Sequence, residues 1–182
     1  MAWDTALPFG IRDTKVTNYT TSALTTLGTS QDSPNARTLS FSEAEDYEEL
    51  RGDDKVIAIH GLGANVDWEM ESGGLSIPAV VKINGGTSVT TGVTPAQITT
   101  YTKKVTDERP YFKAEGQSIS DSGGDFHVNL LRCRASESFE GELSDGSFWL
   151  TSASGRALPA LLTGKVDVLY EFILNETVTA IT

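Results

Sequence analysis

The chain has 182 residues, of which 38% are hydrophobic and 21% charged, and its 25 acidic residues against 14 basic ones give a formal net charge of −11. This composition and length suit one globular domain with a real core and exclude a disordered chain. No stretch approaches the roughly 18 consecutive apolar residues of a membrane span. Met1-Ala2-Trp3-Asp4 has neither the basic region nor the apolar run of a secretory signal. The bases are scattered, with Lys103-Lys104 the only adjacent pair, so binding to nucleic acid, which needs clustered cations, is disfavoured and repulsion of DNA is favoured. Cys133 is the single cysteine. It rules out an intrachain disulfide and reads as a small buried hydrophobe.

Residues 1–36 are rich in Thr, Ser, Gly and Pro. Ile11 to Tyr19 suits one strand, while residues 20–35 have little periodicity. The segment 1–36 therefore reads as an extended N-terminal arm or loop that orders against a neighbouring subunit. A strand begins at Arg37 to Phe41. Between Ser42 and Asp54 lie seven acids, Glu43, Glu45, Asp46, Glu48, Glu49, Asp53 and Asp54. Ser42-Glu43-Ala44-Glu45 matches a helix capping box. Gly52-Asp53, between Tyr47–Arg51 and Lys55–Ile59, reads instead as a hairpin turn, and the hairpin is the preferred reading. The acid run is then either a solvated face or a negative surface inside an assembly.

Val56-Ile57-Ala58-Ile59 is a short β-branched run, expected as a buried strand. Residues 64–72 alternate strictly, with Ala64, Val66, Trp68, Met70 and Ser72 on one face and Asn65, Asp67, Glu69 and Glu71 on the other. That is a half-buried strand anchored by Trp68 and Met70. Gly73-Gly74 breaks the pattern. Ile77, Val80, Val81 and Asn84 then fall at helical spacing, with Ser76 placed to cap, Pro78 in the first turn and Gly85-Gly86 at the end, predicting a short helix.

A short strand is expected at Ser88–Thr91. Gln97 to Val105 fits a strand better than a helix because it is rich in β-branched residues. Tyr111–Ile119 and Phe126–Ala135 bracket Ser120-Asp121-Ser122-Gly123-Gly124, the clearest hairpin in the sequence. On its second strand Phe126, Val128 and Leu130 share one face, and His127, Asn129, Leu131 and Cys133 the other. Phe139–Leu143 and Ser147–Ser152 suggest another hairpin. Ser154–Gly164 reads as a loop and Val166–Phe172 as a terminal strand. Nine or ten short strands, one short helix and frequent turns predict an all-β sandwich or barrel of two packed antiparallel sheets.

Signals for chemistry are weak. His60 and His127 have no His or Cys at ligand spacing. The Asp-rich turns lack a calcium-loop pattern, and Gly61-Leu62-Gly63 lacks the third glycine of a dinucleotide loop. No catalytic residue, cofactor or metal is expected. Trp3, Trp68 and Trp149 are not spaced as a carbohydrate-binding platform.

Asp53-Asp54-Lys55-Val56, Glu69-Met70-Glu71-Ser72-Gly73-Gly74-Leu75, Arg109-Pro110-Tyr111-Phe112, Ser120-Asp121-Ser122-Gly123-Gly124-Asp125 and Asn175-Glu176-Thr177 occur in this order. With them the chain, from about Trp3 to its end, resembles the major tail protein, or tail tube protein, of long, flexible-tailed phages that infect actinobacteria. The resemblance implies one domain of two sheets packed at a steep angle with a flanking helix. It implies hexameric rings, stacked into a tube in the virion tail after assembly in the host cytoplasm. DNA would pass through without specific binding. The other partners implied are tape measure, tail tip and terminator proteins. A negative lumen would repel phosphate, and Glu69, Glu71, Asp67, Glu45, Asp46 and Glu48 are the candidates to line it. Trp3, Tyr47, Leu50 and Arg51 are candidates for contacts between subunits. A β-sandwich binding module or capsid decoration protein is the alternative, and an enzyme on a β scaffold a more distant one.

Overall fold

The computed structural model describes residues 5–137 and 139–181. The elements are β1 (Pro8–Tyr19), β2 (Leu27–Asp32), β3 (Ala36–Gly52), β4 (Lys55–Gly73), α1 (Ile77–Asn84), β5 (Thr87–Thr91), β6 (Ile98–Thr102), β7 (Phe112–Ser120), β8 (Asp125–Ala135), β9 (Leu150–Ala157) and β10 (Tyr170–Asn175). As the sequence predicts, the fold is mainly β with one short helix and two antiparallel sheets. The large sheet has the order β2-β1-β7-β8-β9-β4-β3, with β10 also paired to β8, and the small one is β5-β6. The large sheet runs from one free edge to the other and forms no closed barrel.

Strand β8 is where the large sheet divides. Residues 125–130 pair with β10, whereas Cys133 to Ala135 pair with β9. The wing β2-β1-β7-β8-β10 and the wing β9-β4-β3 can therefore fold face to face over one core. Val16, Phe112, Ala114 and Leu130 from the first wing meet Val66, Trp68, Met70 and Ala153 from the second. The Trp68 ring meets Phe112 edge-on, with centroids 5.4 Å apart. The alternation of residues 64–72 holds as expected, since Val66, Trp68, Met70 and Ser72 are all buried.

The register of β7 on β8 shifts between Phe112 and Ala114, which oppose Cys133 and Leu130. A bulge of this kind adds a residue to one strand and changes which face follows. It brings Cys133 into the core cluster with Leu130, which corrects the expectation that Cys133 shares a face with His127 and Asn129. Burial pushes the Cys133 thiol well above its ordinary range.

Helix α1 lies where its punctuation places it, with Pro in the first turn and Gly85 at the C-cap at a positive φ of 74°. Its buried residues are Ala79, Val80, Ile83 and Asn84, so its inner face is rotated from the expected set, and the Ser76 side chain makes no capping bond.

Other expectations need correction. Residues 20–35 are not an arm, because β2 pairs along β1 within the large sheet. The hairpin preferred for residues 42–59 does form, in place of the capped helix: residues 42–51 belong to β3, whose two-residue turn to β4 holds Asp53 and Asp54 at φ 49° and 60°. Positive φ at both central positions is the hairpin geometry that matches strand twist. Residues 56–59 are a strand but are not buried, for the reason given below. The hairpin expected from Phe139–Leu143 and Ser147–Ser152 is reduced to an isolated antiparallel bridge between Glu140 and Ser152. Strand β9 continues to Ala157, into the expected loop, and the last strand starts at Tyr170 rather than Val166.

Candidate interaction surfaces

Strand β4 pairs with β9 only from Val66 to Gly73, while its pairing with β3 continues to the turn at Lys55. From Val66 outwards no further strand among the described residues pairs with the β3–β4 hairpin. Eleven residues at about 3.3 Å each carry its tip roughly 35 Å beyond the core. This is why the apolar run 56–59 is exposed. Ile57 and Ile59 stand at 66% and 63% exposure, beside Tyr47 at 60% and Leu50 at 62%.

The exposed apolar groups lie on both faces of the hairpin. Tyr47 opposes Gly61 and Glu49 opposes Ile59, which share one face. Leu50 opposes Ala58 on the other face, and a Cβ on Gly52 would meet Ile57 there. A hairpin that is apolar on one face can lie down on its own domain. One that is apolar on both faces needs a neighbour on each side.

The predicted acidic residues do not form one surface. Asp67, Glu69 and Glu71 point outward from β4, but Arg156 sits 3.0 Å from Asp67 and Arg37 3.4 Å from Glu71. Glu69 lies between Ser40 and Ser154 in the ladder and has no cation partner among the described residues. Glu45 opposes Ala64 and so continues the Trp68 face of the hairpin, away from those three. It accepts a hydrogen bond from the Tyr47 hydroxyl at 2.7 Å. Arg51 binds Glu49 at 2.6 Å rather than standing free. Asp46, Glu48, Asp53 and Asp54 are exposed and have no ion-pair partner among the described residues. Trp3 lies outside the described residues.

The sequence reading missed a polar rank on the outer face of the first wing, buried at its centre, at Glu115 and Asn129. Register places Asp32, Lys15, Glu115, Asn129 and Glu171 side by side across β2, β1, β7, β8 and β10. The C-terminal segment covers this face. Lys15 Nζ donates to the Ile181 carbonyl at 2.7 Å, and Gln117 donates to the Thr179 carbonyl at 2.9 Å. Asp125 is fully buried in the adjoining row. Its Oδ2 accepts from Gln117 Nε2 at 2.5 Å and from the Thr179 amide at 2.9 Å, with His127 Nε2 at 3.0 Å. The only sequence signal was alternation at 125–129, and it did not reveal the cover.

Burial alone would raise the Asp125 pKa. The hydrogen bonds from Thr179, Asn175, Gln117 and His127 outweigh it and hold the carboxyl down at about 2. Because the folded value lies below the unfolded one, the stabilisation is present above about pH 4 and is lost as pH falls towards 2. That difference corresponds to about 2 kcal/mol. Asp125→Asn is expected to destabilise the fold by about 1–3 kcal/mol at neutral pH, since one donor loses its partner. It should also flatten the loss between pH 4 and 2. Urea melts at both pH values check this; equal slopes for the two proteins would remove Asp125 from the acid transition.

Among the described residues no group of three or more His, Cys, Asp or Glu side chains is placed to hold a metal ion, and no helix is long and apolar enough to cross a membrane. No protein-family model matches the chain, and no curated protein matches it.

Proposed function

We propose that this chain is a structural subunit that assembles with copies of itself into stacked rings, as the tail tube of a long-tailed phage. The observation that carries the reading is the projecting β3–β4 hairpin, with Tyr47, Leu50, Ile57 and Ile59 exposed on its two faces. Burying a large aliphatic or aromatic side chain is favourable by about 1.5–3 kcal/mol. Water-exposed on a monomer, these residues leave that energy unused. Contact between unlike surfaces of identical subunits closes into rings or continues as filaments, and hexameric rings stacked into a tube are what the family resemblance implies.

Passage of DNA is the second half of the proposal. A net charge of −11 and carboxylates at Glu69, Asp46 and Glu48 that have no ion-pair partner among the described residues suit a wall along which phosphate slides without sticking. Asp67 and Glu71 are weaker lumen candidates than the sequence suggests, because Arg156 and Arg37 offset them. Tape measure, tip and terminator proteins would meet the tube inside and at its ends.

Negative-stain electron microscopy of the purified chain, concentrated at neutral pH, should show rings or hollow tubes of uniform width. Sedimentation at the monomer mass under the same conditions, with no larger species, would overturn the proposal. The binding-module or capsid-decoration alternative would then be pursued with ligand and capsid binding.

A further inference from the structure

Along one side of the large sheet the two wings meet at β1 and β3 without pairing. Between Phe9 and Asp13 the pairing of β1 with β7 is interrupted, and β3 ends the strand order with an unpaired outer edge. The gap is a groove of about 370 Å³. That is more than twice the roughly 150 Å³ that accepts a benzene ring in a protein interior. Its walls are apolar, formed by Pro8 and Ile11 of β1, Leu39 and Phe41 of β3, and Phe126 and Val128 of β8. Leu39 reaches across onto Gly116, where any Cβ would collide with it. Arg37 stands at the groove, its Nε 3.4 Å from Glu71, and no carboxylate lines the walls. The remaining guanidinium donors of Arg37 are thus the groove's charged group and suit an acidic ligand.

We infer that this groove receives the tip of the β3–β4 hairpin from a second copy of the chain. The inference rests on the assembly reading above and names the surface that assembly uses. Three properties of the tip fit the groove. Leu50 and Ile57 share a face and supply branched aliphatic groups of suitable size. Asp53 and Asp54, the two turn residues, put negative charge at the tip to meet Arg37. The tip is itself a β element, and the groove runs along the unpaired edge of β3, where backbone donors and acceptors are open to pairing. The same hairpin forms one groove wall at its base, with Leu39 and Phe41, and the inserting element at its tip, roughly 35 Å away by strand rise. A contact between these two ends cannot close within one chain, and repeated from copy to copy it builds a series of subunits.

Cysteine pairing tests this directly, because Cys133 is fully buried and gives a silent background. Leu50→Cys and Thr38→Cys are made in separate proteins; both positions are exposed, so the fold is retained. The two are mixed at assembling concentration and oxidised mildly. A disulfide-linked heterodimer is expected at least tenfold above that from Leu50→Cys mixed with Ser88→Cys, an exposed control position on β5. Arg37→Glu placed in the Thr38→Cys protein should lower the yield severalfold. Rings or tubes in the microscope with no excess of the Leu50–Thr38 product would overturn the groove and leave the assembly reading standing. Monomers without product would overturn both.

Discussion

Trp68→Ala is expected to cost about 3–5 kcal/mol, the range for emptying a large aromatic site in a core. For a domain whose total stability is on the order of 5–15 kcal/mol, that leaves little or no folded protein at physiological temperature. The site is chosen because Trp68 joins the second wing to the first through a ring contact. It is 2% exposed and packs edge-on against Phe112. Val66 and Met70 flank it on the same face of β4. Trp68→Phe should behave differently. The indole Nε1 is buried with no hydrogen-bond partner among the described residues, so the smaller ring removes an unsatisfied donor while it opens a smaller cavity. Its expected cost is about 1 kcal/mol or less. Chemical denaturation of both variants checks the contrast. A Trp68→Ala protein within 1 kcal/mol of the parent would mean that the wings are not held together through this residue.

Trp68 could be found in the sequence because strict alternation is a local property of a strand with one wet and one dry face. Turn chemistry is equally local, and the Asp-Ser-Gly-Gly connection of β7 to β8 was legible for that reason. What could not be read depends on neighbours remote in the chain. Val56 to Ile59 looks like any buried strand until the tertiary fold leaves it beyond the last residue of β9 that reaches β4. Residues 27–32, Leu-Gly-Thr-Ser-Gln-Asp, have no apolar period, and only pairing with β1 makes them a strand. Cys133 changes face because one extra residue enters β8 opposite β7, and nothing in the local composition marks the bulge. Glu115, Gln117 and Asp125 look like residues of a solvated face; Thr179 and Ile181, more than fifty positions later than Asp125, are what cover that side. The acids were easy to count and hard to place, because Arg156 and Arg37 come to Asp67 and Glu71 from strands distant in sequence.

The hairpin separates stability from assembly. Ile57→Asp combined with Ile59→Asp should leave thermal stability nearly unchanged, since both side chains are mostly in water already and exposed substitutions usually fall within about 0.5 kcal/mol. Association should weaken by at least a hundredfold, because burying even one of the new carboxylates in an apolar contact costs several kcal/mol. Ile57→Ser with Ile59→Ser is the control for charge. It removes the apolar contact without adding repulsion and should weaken association less. Sedimentation across a concentration series, beside a thermal melt, reads both quantities. Loss of stability in step with loss of assembly would mean that the hairpin belongs to the folding core. Unchanged assembly would mean that the hairpin takes no part in contact between copies. The surrounding acids make physical sense on this account. A long exposed β-ribbon with aliphatic residues on both faces is prone to indiscriminate edge pairing. Asp46, Glu48, Asp53 and Asp54 make such pairing between two tips repulsive, while a groove that offers Arg37 and no carboxylate stays open to them. The charge that keeps free subunits soluble thereby also selects the surface on which the hairpin can settle.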